Sequence, residues 1–141
     1  KILILIFKLT INMKVFLGGT CNGSNWRDEV ISKLEMDYFN PITEQWDEES
    51  FLKEIMEKES SDYFLFVLTP LMEGFYSIAE VVDFSNKYPQ KTIFCILDTD
   101  EGRSWSSFEK RSLLKIKDMV ESNGAVVLDS LDEIADFLNR Q

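Results

Sequence analysis

Histidine is missing from this chain altogether, and cysteine (two residues), proline (three) and glycine (six) are scarce over its 141 residues. The absence of histidine removes the commonest metal ligand and the commonest proton shuttle. Cys21 and Cys95 stand far apart, with no paired spacing. Both facts speak against a zinc site, and the expectation is a chain that uses no metal and no cofactor. Any proton transfer then falls to Asp, Glu, Tyr, Lys, Cys or water. Positive charge is short as well: 15 basic residues against 25 acidic ones leave a formal charge of −10. No basic stripe is available for the phosphates of a duplex, so duplex nucleic acid is not an expected partner, whereas a single nucleotide remains one. Long apolar runs are lacking too. Ile2 to Phe7 falls well short of the roughly 20 apolar residues that cross a bilayer, and no small-residue cleavage site follows it. The expectation is a cytoplasmic protein with no membrane segment, in which residues 1–12 are an apolar leader or extension and 13–141 form the domain.

What is present is a length sufficient for one buried core and a regular alternation of apolar patterns. Lys14 to Leu17 reads as a short strand ended by Gly18-Gly19. Asn25 to Leu34 reads as a helix, with Trp26, Val30 and Leu34 at four-residue spacing and Ser24 or Asn25 at its start. Met36 to Phe39 is a second strand, stopped by Asn40-Pro41. Asp47 to Ser60 is helical, with Phe51, Leu52, Ile55 and Met56 on one face and acids in its first turn. Tyr63 to Leu68, YFLFVL, is an uninterrupted apolar run, the mark of a central strand covered on both faces. A helix over Phe75 to Lys87 follows, then a buried strand over Thr92 to Leu97 and a polar stretch from Asp98 to Ser107. A helix from about Phe108 to Ser122, a strand over Ala125 to Leu128 and a helix over Leu131 to Leu138 close the chain. Strands alternating with helices predict an α/β fold, a doubly wound, flavodoxin- or Rossmann-like parallel sheet of five strands in the order 2-1-3-4-5.

In that order the loops after the first and third strands face each other across the crevice where open α/β sheets bind ligands. One loop carries Gly18-Gly19-Thr20. The other runs from Thr69-Pro70 into a helix bearing Glu80 in its second turn. At these residues the sequence resembles the nucleoside 2-deoxyribosyltransferase family and related deoxynucleotide N-glycosidases. The resemblance rests on FLGGT followed by Asn25-Trp26-Arg27, on Phe39-Asn40-Pro41 with Trp46, on Ser61-Asp62 opening an apolar strand, and on Ser77-Ile78-Ala79-Glu80 after the Thr69-Pro70 loop.

The resemblance implies a glutamate nucleophile at Glu80 that attacks the anomeric carbon as the base leaves. A covalent glycosyl-enzyme results, which a second base or water resolves with net retention. It implies an orienting acid at Asp62, and a base and sugar pocket shaped by Gly18, Gly19, Thr20, Asn40 and Trp46. Thr69 and Ser77 belong to the matching loop and helix, and Glu73 is a candidate second acid. Phe16 lines the same region, at a position where several transferases place a tyrosine, and Val82 stands where the family commonly has glycine. The implied partners are a small-molecule nucleoside or nucleotide and further copies of the chain, as a homodimer or higher homo-oligomer. An alternative on the same scaffold is a protein that binds a nucleotide or ADP-ribose-like molecule without turning it over.

Overall fold

The structure is a computed structural model and describes residues 12–141; the leader expected at residues 1–12 lies, apart from Asn12, outside the described residues. At its centre is β3 (Tyr63–Leu68), with Phe64 to Leu68 all buried, as an apolar strand covered on both faces requires. It pairs in parallel with β1 (Lys14–Gly19) on one side and with β4 (Thr92–Ile96) on the other. Outside these lie β2 (Asp37–Phe39), against β1, and β7 (Val126–Leu128), against β4. The sheet order is β2-β1-β3-β4-β7, all parallel, which is the expected 2-1-3-4-5 arrangement with the fifth sheet strand renumbered. The extra numbers belong to a hairpin, β5 (Thr99–Asp100) and β6 (Arg103–Ser104), inside the polar stretch Asp98 to Ser107, for which no strand was expected. Glu101 and Gly102 at its tip both have positive φ (47° and 75°), the backbone twist that two-residue hairpin loops prefer.

Successive strand residues point to opposite faces, so each face has its own core. Val15, Leu17, Leu65, Val67, Ile93 and Cys95 pack under α1 (Trp26–Ile31) and α5 (Leu131–Asn139). Phe16, Phe64, Phe66, Leu68 and Phe94 pack under α3 (Tyr76–Lys87) and α4 (Ser107–Ser122). Burial pushes the Cys95 thiol up to about 12, so this cysteine is core packing and not a nucleophile. α1 is shorter than the apolar spacing predicted, ending at Ile31, and Asn25 makes no side-chain cap; Ser24 Oγ accepts weakly from the Trp26 N–H at 3.4 Å.

The remaining helix, α2 (Glu48–Ser60), departs most from expectation. Asp47 caps it as the sequence suggests, accepting from the Ser50 N–H at 2.8 Å. Yet α2 contributes no buried residue, and its apolar stripe Phe51, Leu52, Ile55 and Met56 is exposed. The half-buried side is instead the charged stripe Glu54, Glu57 and Lys58. It is held there by pairing: Glu57 meets Lys14 at 2.5 Å, and Lys58 reaches Glu80 on α3. Among the described residues no helix is long and apolar enough to cross a membrane.

Candidate active site

The site begins where β1 stops being able to carry side chains. A Cβ on Gly18 would lie 2.7 Å from the Phe66 ring, and one on Gly19 would lie 2.0 Å from the Val67 carbonyl oxygen. With φ at +120°, Gly19 turns the chain while remaining pressed against β3, a conformation L side chains rarely adopt. Thr20 then fastens the turn to the opposite loop: its N–H donates to Val67 O at 2.9 Å, and its Oγ1 accepts from the Thr69 N–H at 2.9 Å.

The carbonyls freed by that turn are collected by α1. Arg27, although charged, is 4% exposed. Its guanidinium donates to Leu17 O (3.1 Å), Gly19 O (3.2 Å) and Thr20 O (2.6 Å), and it stacks 4.4 Å over the Trp26 ring. The Trp26 indole N–H shares Thr20 O at 2.8 Å. Burial lowers the Arg27 pKa, and Cys21, Glu54 and Glu80 partly restore it; an arginine keeps its charge across that range. Arg27 thus serves as a rigid fork that fixes three carbonyls. Arg27→Lys, which cannot hold all three at once, is expected to lower stability by about 1–2 kcal/mol from lost hydrogen bonds. Denaturant unfolding checks this; an unchanged midpoint would remove the fork from the account.

The two loops enclose a crevice of about 260 Å³ at the carboxyl ends of β1 and β3. Phe16, Gly18, Gly19 and Thr20 form one wall, Tyr76, Ser77 and Glu80 the other, and Trp46 stands at the rim, 62% exposed. A second cleft of about 430 Å³ adjoins it, sharing Cys21, Asn22, Arg27, Pro41, Ile42 and Trp46 and adding Asn40, Ser24 and Asp28. Together they offer an inner compartment with a carboxylate and an outer, more polar one, on the scale of small-molecule sites.

Glu80 sits at the inner compartment with its side chain 11% exposed. Its Oε2 lies 2.6 Å from Lys58 Nζ, but off the direction a hydrogen bond needs, so that buried oxygen has a charge partner and no directed donor. Burial holds the Glu80 pKa above the ordinary glutamate value; Lys58 opposes this most strongly, Glu54 adds to it, and Arg27 opposes it. Glu54 also lines the crevice, and it receives Lys58 at 3.1 Å.

Three residues expected at the site lie elsewhere, and a fourth, Asn40, reaches only its outer compartment. Asp62 is at the amino end of β3, where its carboxylate accepts from the Lys14 N–H at 2.9 Å. The six steps from Asp62 to Leu68 put it roughly 20 Å along the strand from Leu68, the β3 residue in the crevice lining. The acid near Glu80 is Glu54 instead. Thr69 is fully buried, its N–H on Thr20 and its Oγ1 accepting from the Leu71 N–H, so it fastens the loops and lines nothing. Glu73 is exposed and outside the crevice lining. Asn40 lines only the outer cleft, where its Oδ1 accepts from the Ile42 N–H at 3.1 Å.

Sequence reasoning missed Glu54, Lys58 and the burial of Arg27. The i,i+4 pair Glu54/Lys58 was readable, but an exposed helix pair has the same spacing. Among the described residues no cluster of His, Cys, Asp or Glu groups is arranged to hold a metal ion.

A family model described as "Nucleoside 2-deoxyribosyltransferase like" matches residues 12–99 of this chain. The chain belongs to the nucleoside 2-deoxyribosyltransferase-like family. No curated protein and no solved structure matches it. The matched span runs from the residue before Met13 to the first strand of the hairpin. Every residue lining the two compartments of this nucleoside 2-deoxyribosyltransferase-like protein therefore falls inside it. The hairpin touches the site from outside most of that span: Asp100 accepts from the Ser24 hydroxyl at 2.5 Å, and Glu101 receives the Asn25 amide at 3.4 Å.

Proposed function

We propose that the protein cleaves or transfers the N-glycosidic bond of a 2-deoxynucleoside or its 5′-monophosphate, through a covalent glycosyl-Glu80 intermediate. The observation that carries this reading is the Glu80 carboxylate, nearly buried at a crevice wall and paired there with the Lys58 ammonium. Such a carboxylate can attack an electrophilic carbon held in the crevice, and its charge favours an oxocarbenium-like transition state. In the first step an oxygen of Glu80 bonds to C1′ as the C1′–N bond breaks and its electron pair leaves with the base. In the second step an acceptor base, or water giving up a proton, takes the sugar and frees the carboxylate. The Gly18-Gly19 turn, pressed against β3, supplies the backbone wall that the sugar would face. Trp46 at the rim and the outer polar cleft support recognition of the base. The test is incubation with deoxynucleosides and their monophosphates, with and without an acceptor base, read as free base by chromatography. No product from any of them retires the reading.

The same reading includes self-association. The apolar stripe of α2 ends beside a groove of about 450 Å³ that shares Tyr76 and Glu80 with the crevice, so a second copy seated there would adjoin the site. Four exposed apolar side chains on one helix stripe favour that burial, because soluble chains seldom leave such a surface uncovered. Sedimentation is expected to show two or more copies per particle. The double variant Leu52→Lys/Met56→Lys is expected to give one copy with the fold intact by circular dichroism. A wild-type monomer at all concentrations contradicts this.

A further inference from the structure

We propose that Lys58 is a positioning residue for Glu80: its ammonium, fixed between two carboxylates and two aromatic faces, holds the Glu80 carboxylate ionised and in one orientation at the crevice wall. The inference rests on the reading of Glu80 as nucleophile, and deepens it by naming what keeps that group ready.

Lys58 lies in the last turn of α2 and crosses to a different helix. Its Nζ is 2.6 Å from Glu80 Oε2 and 3.1 Å from Glu54 Oε1, and the three side chains are 16%, 11% and 17% exposed. The ammonium also stands 5.2 Å from the centre of the Phe16 ring and 5.7 Å from that of Tyr76. Aromatic faces attract a cation that has given up part of its water, and both rings lie within range of the ammonium. The arrangement differs from an ordinary i,i+4 surface pair, which is exposed and contributes little.

The other charged groups around Glu80 divide the work. Arg27, from the α1 side, favours the Glu80 anion but has its donors committed to the β1 carbonyls. Glu54 on α2 disfavours it. Glu59 and Asp83 line the outer groove beside Lys58 and add negative charge there, and Tyr76 borders both groove and crevice. Lys58 is the cation that touches Glu80 directly. Burial weakens the Lys58 charge, but Glu80 and Glu54 outweigh it and its pKa is raised, so the ammonium stays protonated where it is needed. An opposite charge at this range typically lowers a carboxylate pKa by about 1–3 units, enough to offset much of what burial does to Glu80.

The experiment follows the Glu80 carboxyl carbon by NMR through a pH titration, in wild type, Lys58→Met, Lys58→Arg and Glu54→Gln, alongside the acid limb of kcat/KM. The Glu80 midpoint is expected to rise by about one pH unit or more in Lys58→Met, a tenfold or greater gain in proton affinity. It is expected to return toward wild type in Lys58→Arg and to fall in Glu54→Gln, with the acid limb of activity moving in step. A midpoint that stays in place or falls in Lys58→Met overturns the proposal. Should Lys58→Met fail to fold, Glu54→Gln decides alone, and a midpoint there that is unchanged or raised overturns it. These midpoints are read without turnover. A protein that releases no base yet shows the movements retires the glycosidase reading and keeps Lys58 in its role, whereas base release with unmoved midpoints retires Lys58 only.

Discussion

Glu80→Gln is expected to lower base release by on the order of 10³-fold or more, the scale on which enzymes lose rate when a covalent nucleophile is removed. Glutamine is nearly the same size and shape, so the crevice and the binding of substrate are retained. The loss is therefore expected in kcat with KM little changed. Stability is expected to move the other way. Because burial raises the Glu80 pKa, the fold prefers the neutral acid to the anion. The stabilisation that this preference brings is complete below the unfolded glutamate value. It disappears as the pH climbs through the raised folded value, since across that window the folded chain binds more protons than the unfolded one. Glu80→Gln carries a neutral group at every pH. Its melting temperature relative to wild type should therefore improve as pH rises from just below the ordinary glutamate value through neutrality. Full activity in Glu80→Gln would remove it as nucleophile; a variant that loses relative stability as pH rises would contradict the electrostatic account.

Gly19→Ala is expected to have the largest effect on the fold, about 3–5 kcal/mol, combining a left-handed backbone strain with a steric clash. The methyl would lie 2.0 Å from the Val67 carbonyl oxygen and 2.7 Å from its nitrogen, so no rotamer relieves it; backbone must move. β1 and β3 would have to part where Thr20 joins them, taking the Arg27 fork and the crevice wall with them. Neighbouring glycines grade the prediction. At Gly18 the obstacle is the Phe66 side chain, with backbone farther off at 3.3 Å, and at Gly23 nothing lies within 4 Å although φ is +76°. Alanine is expected to be tolerated best at Gly23 and worst at Gly19. Equal denaturation midpoints for Gly19→Ala and Gly23→Ala would show that the close approach is not what Gly19 is for.

Much of the architecture was legible because local pattern and burial agree. The run Tyr63 to Leu68 has the same bounds in sequence and structure, since a strand covered on both faces needs apolar residues without a break. The helix read from about Phe108 to Ser122 is α4, which starts one residue earlier behind a capping box of Ser106 with Glu109. The hairpin over Thr99 to Ser104 escaped reading because its two-residue strands are polar and carry no alternation; only the Glu101-Gly102 tip hinted at it. At the site, Gly18, Gly19, Thr20, Trp46, Ser77 and Glu80 come together as the loops of adjacent parallel strands must. Asp62 does not, because adjacency to β3 in sequence says nothing about which end of the strand the ligand occupies, and Asp62 opens the end opposite the crevice.

α2 and Arg27 mark the same boundary. Helical spacing places Phe51, Leu52, Ile55 and Met56 on one stripe and Glu54, Glu57 and Lys58 on the other, but it does not say which stripe faces the body. Here long-range partners decided: Lys14 from β1 and Glu80 from α3 draw the charged stripe inward. Arg27 likewise reads as a helix surface residue until the Gly18-Gly19 turn presents three carbonyls to it. The sequence by itself determined the elements, the parallel order and the location of the crevice, because those follow from periodicity, turn chemistry and connection rules acting over a few residues at a time. Only the tertiary structure decided the electrostatic setting of Glu80, with Lys58 against it, Glu54 beyond and Arg27 to one side. With Glu80 itself those charges come from three different helices, and their separations do not exist until the sheet has brought the helices together.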